Sequence, residues 1–107
     1  MPFLNKTSKD VGTVPVTVYS VPTGLESIVL EMDVCNVSQI GVSVTVEFFD
    51  DSESQVSHIV KNLPVPTGAS IRVIAGQKIV MNGDDEIRVY SNTADSIDVV
   101  FSVLEAI

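Results

Sequence analysis

The sequence is poor in the residues on which many chemical sites and covalent cross-links depend. Its 107 residues include no tryptophan, one cysteine and one histidine. A single cysteine cannot form a disulfide within the chain, and one cysteine with one histidine cannot complete a structural zinc site. We therefore expect the fold to depend on packing, or on association with other chains.

Long hydrophobic runs are also missing. Uninterrupted apolar stretches reach three or four residues, whereas a membrane-spanning helix needs about 20. The first ten residues, MPFLNKTSKD, lack the basic-then-apolar layout of a signal peptide. These features predict a soluble protein made in a reducing cytoplasm, with no membrane partner.

Basic residues are scarce. Six Lys and Arg stand against fourteen Asp and Glu, which gives a formal net charge of −8 at pH 7. Nucleic acids and anionic membranes need a basic surface that displaces their counterions, so both are disfavoured as partners. Between Lys9 and Lys61 every charged residue is acidic. We expect one part of the surface to be strongly acidic, either as a solubilising face or as a complement to a basic partner.

The sequence does contain alternation of apolar and polar residues with a period of two. The alternation is clearest in three segments rich in β-branched residues, 28–34, 42–48 and 97–103. Adjacent residues of a strand point to opposite faces, so this period predicts half-buried antiparallel strands. Five weaker segments have the same character: 14–20, 55–62, 70–75, 78–82 and 86–91.

Turn residues separate these segments. Two Pro-Thr-Gly triplets stand at 22–24 and 66–68, and Asn82-Gly83-Asp84-Asp85 is typical of a hairpin. The repeated triplet is either the trace of a duplicated half or one good turn used twice. Eight short strands with such turns predict an all-β fold, an antiparallel β-sandwich or jelly roll, over residues 13–107 as a single domain. Residues 1–12 are predicted to form an amino-terminal arm without a core of its own.

Candidate catalytic and metal-binding residues are few. His58 has no recognisable partner motif and is expected in the core or at its rim, and Cys35 has acidic neighbours that disfavour a reactive thiolate. The acidic clusters at 50–53 and 84–86 lack the spacing of a calcium loop. We therefore predict a non-enzymatic protein with no catalytic residue, no cofactor and no metal site.

Apolar residues also occur on the faces opposite the predicted core stripes. By parity these include Val29, Phe49, Val100 and Leu104, with Ile59 and Ile74 in similar positions. An exposed apolar patch on a small acidic domain favours an interface with another subunit or partner. The alternative is that the arm or the loops cover these residues.

Several segments together resemble small structural proteins of tailed-bacteriophage virions. They are the turn and strand at 63–73, the segment 76–81, the strand 83–91 and the final strand 98–105. The resemblance covers roughly residues 20–107 and implies a virion component with a sandwich or jelly-roll fold and no catalytic residues. Among such components it favours a capsid decoration (cement) protein, which is typically a trimer on the outer capsid surface.

The same resemblance implies partners and contact residues. The major capsid protein, or another virion protein, would be the partner, and the chain would form a homo-oligomer. Phe3 and Leu4 would anchor the arm, while Phe49, Val100 and Leu104 would lie at the subunit contact. The alternatives are a tail or fibre-associated adaptor and, from another class, a carbohydrate-binding module for host attachment. A carbohydrate-binding module would need exposed aromatic residues, and the candidates are Tyr19, Tyr90 and Phe49.

Overall fold

A computed structural model describes residues 2–106, which contain nine β-strands and no helix. The strands are β1 (Phe3–Val11), β2 (Val16–Ser20), β3 (Glu26–Asn36), β4 (Val42–Asp50), β5 (Gln55–Val65), β6 (Ser70–Ile74), β7 (Ile79–Asn82), β8 (Glu86–Ser91) and β9 (Ile97–Ala106). All eight segments with the two-residue period are strands. In the described part of the chain, no helix could cross a membrane.

The strands form two antiparallel sheets. Sheet A has the order β1-β9-β3-β6, with β7 also paired to β3, and sheet B has the order β2-β8-β4-β5. Because β6 and β7 pair with successive parts of β3, they act as one interrupted strand. Counted in this way, the two sheets have the strand order of a jelly roll, built from two Greek keys. The prediction of an all-β sandwich is confirmed.

The core lies between the two sheets and is built from the inward side chains of both. Its largest fully buried side chains include Phe101, Met32, Ile74, Met81 and Ile87. Phe101, Met32, Met81 and Ile87 are each followed by a residue that points away from the core, as the period of two requires, whereas Ile74 ends β6. Every buried side-chain nitrogen or oxygen within residues 2–106 has a hydrogen-bond partner.

The amino-terminal segment is not an arm. Residues 3–11 form strand β1, which pairs antiparallel with β9 from Phe3 opposite Leu104 to Val11 opposite Ile97. The polar composition of this segment suits an edge strand, because one long side of it and most of one face meet solvent. Backbone hydrogen bonds to β9 hold this strand in place. They do not depend on its side chains, so the residue pattern of β1 does not predict them.

A β-bulge at Leu30 reverses the face to which the start of β3 points. Val29 pairs with Val103 and Glu31 with Ser102, so Leu30 is an extra residue on β3. As a result Val29 and Met32 both point into the core, although they are three residues apart. The prediction that Val29 lies on an exposed face is therefore wrong, and Val29 is fully buried.

The two Pro-Thr-Gly triplets make the same connection. Each joins a strand of sheet B to a strand of sheet A, β2 to β3 and β5 to β6. In each turn the residue after the glycine donates its N–H to the proline carbonyl, at 3.1 Å in both cases. Gly24 and Gly68 have φ angles of 83° and 73°, which an L-residue adopts only with strain.

Candidate functional site: an apolar patch on the outer face of sheet A

Four apolar residues form one continuous row across the outer face of sheet A. Phe3 of β1 pairs with Leu104 of β9, Leu104 with Ile28 of β3, and Ile28 with Val80 of β7. Directly paired residues lie on the same face, and neighbouring strands are about 4.8 Å apart. The row therefore spans about 14 Å of a sheet face that is turned away from the core.

Two shallow depressions lie along this row. One, of about 190 Å³, is lined by Ile28, Val80, Leu104 and Ala106 together with Glu26 and Ser27. The other, of about 350 Å³, lies between Phe3 and Leu30 and extends over Ser102. We call the set Phe3, Ile28, Leu30, Val80, Leu104 and Ala106 the apolar patch.

The two ends of the row are the most exposed. Phe3 is 75% and Val80 63% exposed, whereas Ile28 and Leu104 between them are half-buried. Drug-sized and cofactor-sized ligands need cavities of about 300–1,000 Å³ that enclose most of their surface. The depression at Val80 is smaller than this, and the one at Phe3, although within this range of volume, is an open trough at the sheet surface that does not enclose a ligand. The geometry therefore favours contact with a protein over enclosure of a small molecule.

Acidic residues border the patch, and they lie on β3. Glu26, two residues before Ile28 on β3, pairs with Ala106 on one side of the row, and Glu31 pairs with Ser102 on the other side, beyond the bulge. Further along β3, Asp33 pairs with Val100. The Arg72 guanidinium of β6 is 3.8 Å from Glu31 and 3.7 Å from Asp33, so it partly offsets both carboxylates. The surface around the patch is thus acidic with one local cation.

The sequence-predicted contact residues do not form one site. Phe3 and Leu104 belong to the patch, and Val100 lies on the same face of β9, 52% exposed. Leu4 instead points inward and packs against the core. Phe49 lies on sheet B, where the Arg88 guanidinium sits 4.4 Å from the centre of its ring.

Sequence reasoning missed Ile28 and Val80. The alternation around Ile28 predicts a core position, because the bulge at Leu30 cannot be read from the residue pattern. Ile74, expected to face outward, is fully buried for a similar reason, since β3 and β6 shift register between Met32 and Asp33. The outward position of Val80 could have been predicted from the sequence. Val80 lies between Ile79 and Met81, and adjacent residues of a strand point to opposite faces.

The remaining candidate groups lie elsewhere. His58 is not in the core, because its side chain is on the outer face of sheet B, 3.4 Å from the Glu47 carboxylate. Cys35 is a half-buried free thiol on the outer face of sheet A. Within residues 2–106 no three His, Cys, Asp or Glu side chains are grouped as metal ligands.

The acidic residues between Lys9 and Lys61 do not share one face, contrary to expectation. Glu26, Glu31 and Asp33 are on β3 of sheet A, whereas Glu47 is on β4 of sheet B. The cluster at 50–53 forms the turn of the β4–β5 hairpin. The excess negative charge is therefore spread over both outer faces and one end of the sandwich.

One buried polar cluster lies directly beneath the patch. Tyr19 donates a hydrogen bond of 2.7 Å to the Glu105 carboxylate, and its oxygen is 2.7 Å from the Ser27 hydroxyl. Burial raises the pKa of Tyr19 to about 12, and the bond and charge of Glu105 act in the same direction, while the Ser27 bond opposes them. The ring of Tyr19 also packs 5.5 Å from that of Phe101, so it is a core residue.

Comparison with known proteins identifies a fold but no family. Neither protein-family models nor curated proteins match this chain. Among solved structures, the chain is similar to one from Bacillus endospore appendages, which are described as a family of disulfide-linked pili. The TM-score is 0.52 with 11% identity, over 97% of this chain and 87% of that chain. At this identity the similarity establishes only that the two chains share a fold.

Proposed function

We propose that this chain is a non-enzymatic structural subunit of a large protein assembly, and specifically a decoration protein on the capsid exterior of a tailed bacteriophage. The observation that carries the proposal is the apolar patch, a row of four side chains on a sheet face that no other element within residues 2–106 covers. Water-exposed apolar area of this kind is characteristic of a contact surface between subunits. The virion setting comes from the sequence resemblance.

The physical basis of such a role is the free energy of burying the patch and its surroundings. Apolar area removed from water contributes about 25 cal/mol per Å². Even a modest contact therefore contributes a large total free energy when it is repeated over all copies in a lattice. A protein that binds only the assembled shell stabilises that shell by mass action. In this proposal the chain is a homo-oligomer closed through the patch, and its other surfaces meet the major capsid protein. The resemblance implies a trimer.

A catalytic role is less well supported by the same site. The depressions are lined mainly by apolar side chains, and the hydroxyl of Ser27 is engaged by Tyr19 at 2.7 Å. Carbohydrate binding is also weakly supported, because sugar rings stack on open aromatic faces. Tyr19 is 4% exposed, and Arg88 covers a face of Phe49. Of the three aromatic candidates for sugar binding, Tyr19 is thus buried and Phe49 is partly covered.

A second candidate is a subunit of a tail, a fibre or another filament. The shared fold with a subunit from disulfide-linked pili favours it. Linking subunits into a continuous chain by disulfides needs at least two cysteines per subunit, and these 107 residues contain one. A filament of this chain would therefore be held by noncovalent contacts. Electron microscopy of the purified chain at increasing concentration distinguishes filaments from discrete oligomers.

The decisive experiment measures the copy number of this chain in purified particles, relative to the major capsid protein, by quantitative mass spectrometry. A ratio near one to one is the expected result for a decoration protein. A handful of copies would move the chain to the tail or to a single vertex. Absence from particles would overturn the virion proposal.

Rebinding provides a second readout. Particles stripped of the chain should lose resistance to heat, and purified chain added back should restore it. Bovine serum albumin at the same concentration is the control for nonspecific protection. Saturable binding without a gain in particle stability would contradict a decoration role.

A further inference from the structure

The apolar patch has two unlike ends. At one end Phe3 protrudes with 75% of its surface exposed. The other end, three strands away, is Val80, which lines the smaller depression together with Ile28, Leu104 and Ala106. A protruding side chain at one end and a depression beside the other end suit a self-complementary contact.

We propose that this face binds a second copy of the same chain, about a two-fold axis that runs parallel to the strands between β3 and β9. In this arrangement β3 of one copy covers β9 of the other. The four side chains of the row then face the same four side chains of the second copy in the opposite order. Phe3 then lies over the partner's Val80, and Leu104 lies over the partner's Ile28. This inference rests on the proposed function, from which it takes the patch to be a subunit contact. It adds that the molecule bound there is a second copy of this chain.

The distribution of charge selects this axis. Three acidic residues of the face lie on β3 opposite neutral residues of β9: Glu26 pairs with Ala106, Glu31 with Ser102 and Asp33 with Val100. The acidic residue on the same face of β9, Asp98, likewise pairs with a neutral residue of β3, Cys35. With the axis parallel to the strands, each of these acids faces the neutral residue of the other copy. An axis perpendicular to the strands would instead lay β3 on β3 and bring Glu26 towards Glu31. Like charges brought together in this way oppose association.

Two of the four sheet edges, β1 and β5, are less suited to self-association than the face. The edge strand β1 carries Lys6 and Lys9, and the edge strand β5 carries Lys61 and Pro64. Lysine and proline on an edge strand discourage pairing with another chain, because they introduce repulsion or remove an N–H donor. Association through the outer face of sheet A leaves these edges in solvent.

Two copies close this contact completely. A two-fold contact is isologous, so the same patch is used on both copies and none is left to recruit a third. The proposal therefore predicts a dimer in place of the trimer that the resemblance implies. The expected mass is twice the 11.5 kDa of the single chain.

The first test is the mass of the purified chain by light scattering and sedimentation equilibrium. The dimer is expected, and Val80→Glu is expected to weaken it at least tenfold by placing a carboxylate in the contact. The matched control is Val14→Glu, which changes a 73% exposed valine in the β1–β2 connection and should leave the dimer intact. Circular dichroism checks that both variants are folded, since both positions are largely exposed.

The second test locates the axis by cross-linking. In a Cys35→Ser background, Phe3→Cys and Val80→Cys are made as separate variants, mixed and treated with a short bismaleimide, because facing sheets lie about 10 Å apart and a disulfide spans less than that. The proposed axis places these two positions opposite each other, so the mixture should form a cross-linked dimer of the two variants, and each variant alone should not. Efficient cross-linking of Phe3→Cys to itself would indicate the perpendicular axis and overturn the proposal.

These outcomes are separable from those that test the proposed function. A chain that stays monomeric at high concentration, or forms a trimer, overturns the two-fold contact whatever its copy number in particles. A confirmed dimer that is absent from particles would retain the contact and remove the virion role.

Discussion

The buried carboxylate of Asp85 holds the backbone of Asp51 in a neighbouring turn, where Oδ1 accepts the Asp51 N–H at 3.0 Å. Its second oxygen accepts the N–H of Asn82 at 2.9 Å, across the β7–β8 turn. Asp85 is 3% exposed, so these bonds are formed with little competition from water. One side chain thus ties the β4–β5 hairpin to the β7–β8 hairpin at the same end of the sandwich.

Asp85→Ala should therefore lower the free energy of unfolding by roughly 2–4 kcal/mol, because hydrogen bonds to a charged group are stronger than neutral ones. Urea unfolding followed by circular dichroism measures the change. The matched control is Glu53→Ala, which removes the same charge from an exposed position in the β4–β5 turn and should change stability by less than about 0.5 kcal/mol. Equal effects of the two variants would mean that Asp85 acts only through net charge.

Asn36 makes four hydrogen bonds from a fully buried side chain. Its Nδ2 donates to the carbonyls of Ile40 at 2.8 Å and Val65 at 2.9 Å, and its Oδ1 accepts from the N–H and the hydroxyl of Ser38. Asn36→Ala should cost about 2–4 kcal/mol of unfolding free energy, because the buried Val65 carbonyl loses its donor and three further hydrogen bonds are removed. Ser38→Ala, which removes one hydroxyl and keeps the two Nδ2 bonds, should cost roughly 1 kcal/mol. Calorimetric melting of both variants compares them.

Asn36→Asp offers a sharper comparison at the same position. An ionised carboxylate has no donor and would face two carbonyl oxygens, so this variant should be less stable than Asn36→Ala near neutral pH. Protonation at low pH supplies a donor, and the deficit should then shrink. A deficit that stays constant between pH 7 and acid conditions would show that these carbonyls do not depend on the Asn36 amide.

Tyr19 predicts a loss of stability at alkaline pH. Its pKa is raised from 10.0 to about 12 in the folded protein, chiefly by burial. In that window the unfolded chain loses the phenolic proton while the folded chain retains it, so rising pH favours unfolding. The stability that Tyr19 contributes is fully present below its pKa in the unfolded chain. It is lost as pH rises through its pKa in the folded chain. Its full size is roughly 2–3 kcal/mol.

Tyr19→Phe is the variant that isolates this effect. Below pH 10 it should be less stable than the natural chain, by roughly 1–2 kcal/mol, because Ser27 and Glu105 lose a partner. Above that pH the difference should narrow, since only the natural chain carries this titration. Urea unfolding of both chains over a pH series measures it, and parallel pH profiles would contradict the prediction.

Adjacent residues of β9 should differ strongly in their effect on stability. Phe101 is fully buried and Val100 is 52% exposed, because they point to opposite faces of sheet A. Phe101→Ala should cost about 3–5 kcal/mol through lost burial and the cavity that remains. Val100→Ala should cost less than about 1 kcal/mol. Comparable losses in thermal melts at low protein concentration would contradict the assignment of the two faces.

Local chemistry was enough to predict the strands and their turns. The strand Glu86–Ser91 was predicted at its observed bounds, and both Pro-Thr-Gly triplets make the turns that a preset φ and a tolerant glycine favour. Alternation along β9 placed Phe101 inside and Val100 outside correctly, because this strand keeps its period without interruption. These features depend on residues close together in the sequence.

The segment at residues 3–11 shows where such reasoning stops. Its polar pattern gives no inward face, and it is a strand only because β9, some ninety residues later, offers a free edge. Leu4 was therefore expected in an arm and is instead packed against the core. Edge strands are the elements whose own side chains carry the least information about their pairing.

The candidate site was only partly within reach of the sequence. Phe3 and Leu104 were expected to be exposed, but as an anchor and a contact in separate places. What joins them is the register of four strands, which also brings Ile28 and Val80 into the row. The bulge at Leu30 decides which side of β3 faces out, and a shift of one residue exchanges the two faces.

By itself, then, the sequence determined that the chain is an all-β sandwich, with its turns and most of its strands, because period and turn chemistry act within a few residues. Only the tertiary structure decided that Phe3 belongs to a sheet, that Val29 is buried and that the patch exists. The physical reason is that pairing register and bulges are fixed by backbone hydrogen bonds between distant strands, which every residue except proline can make, and which residue order therefore does not encode locally.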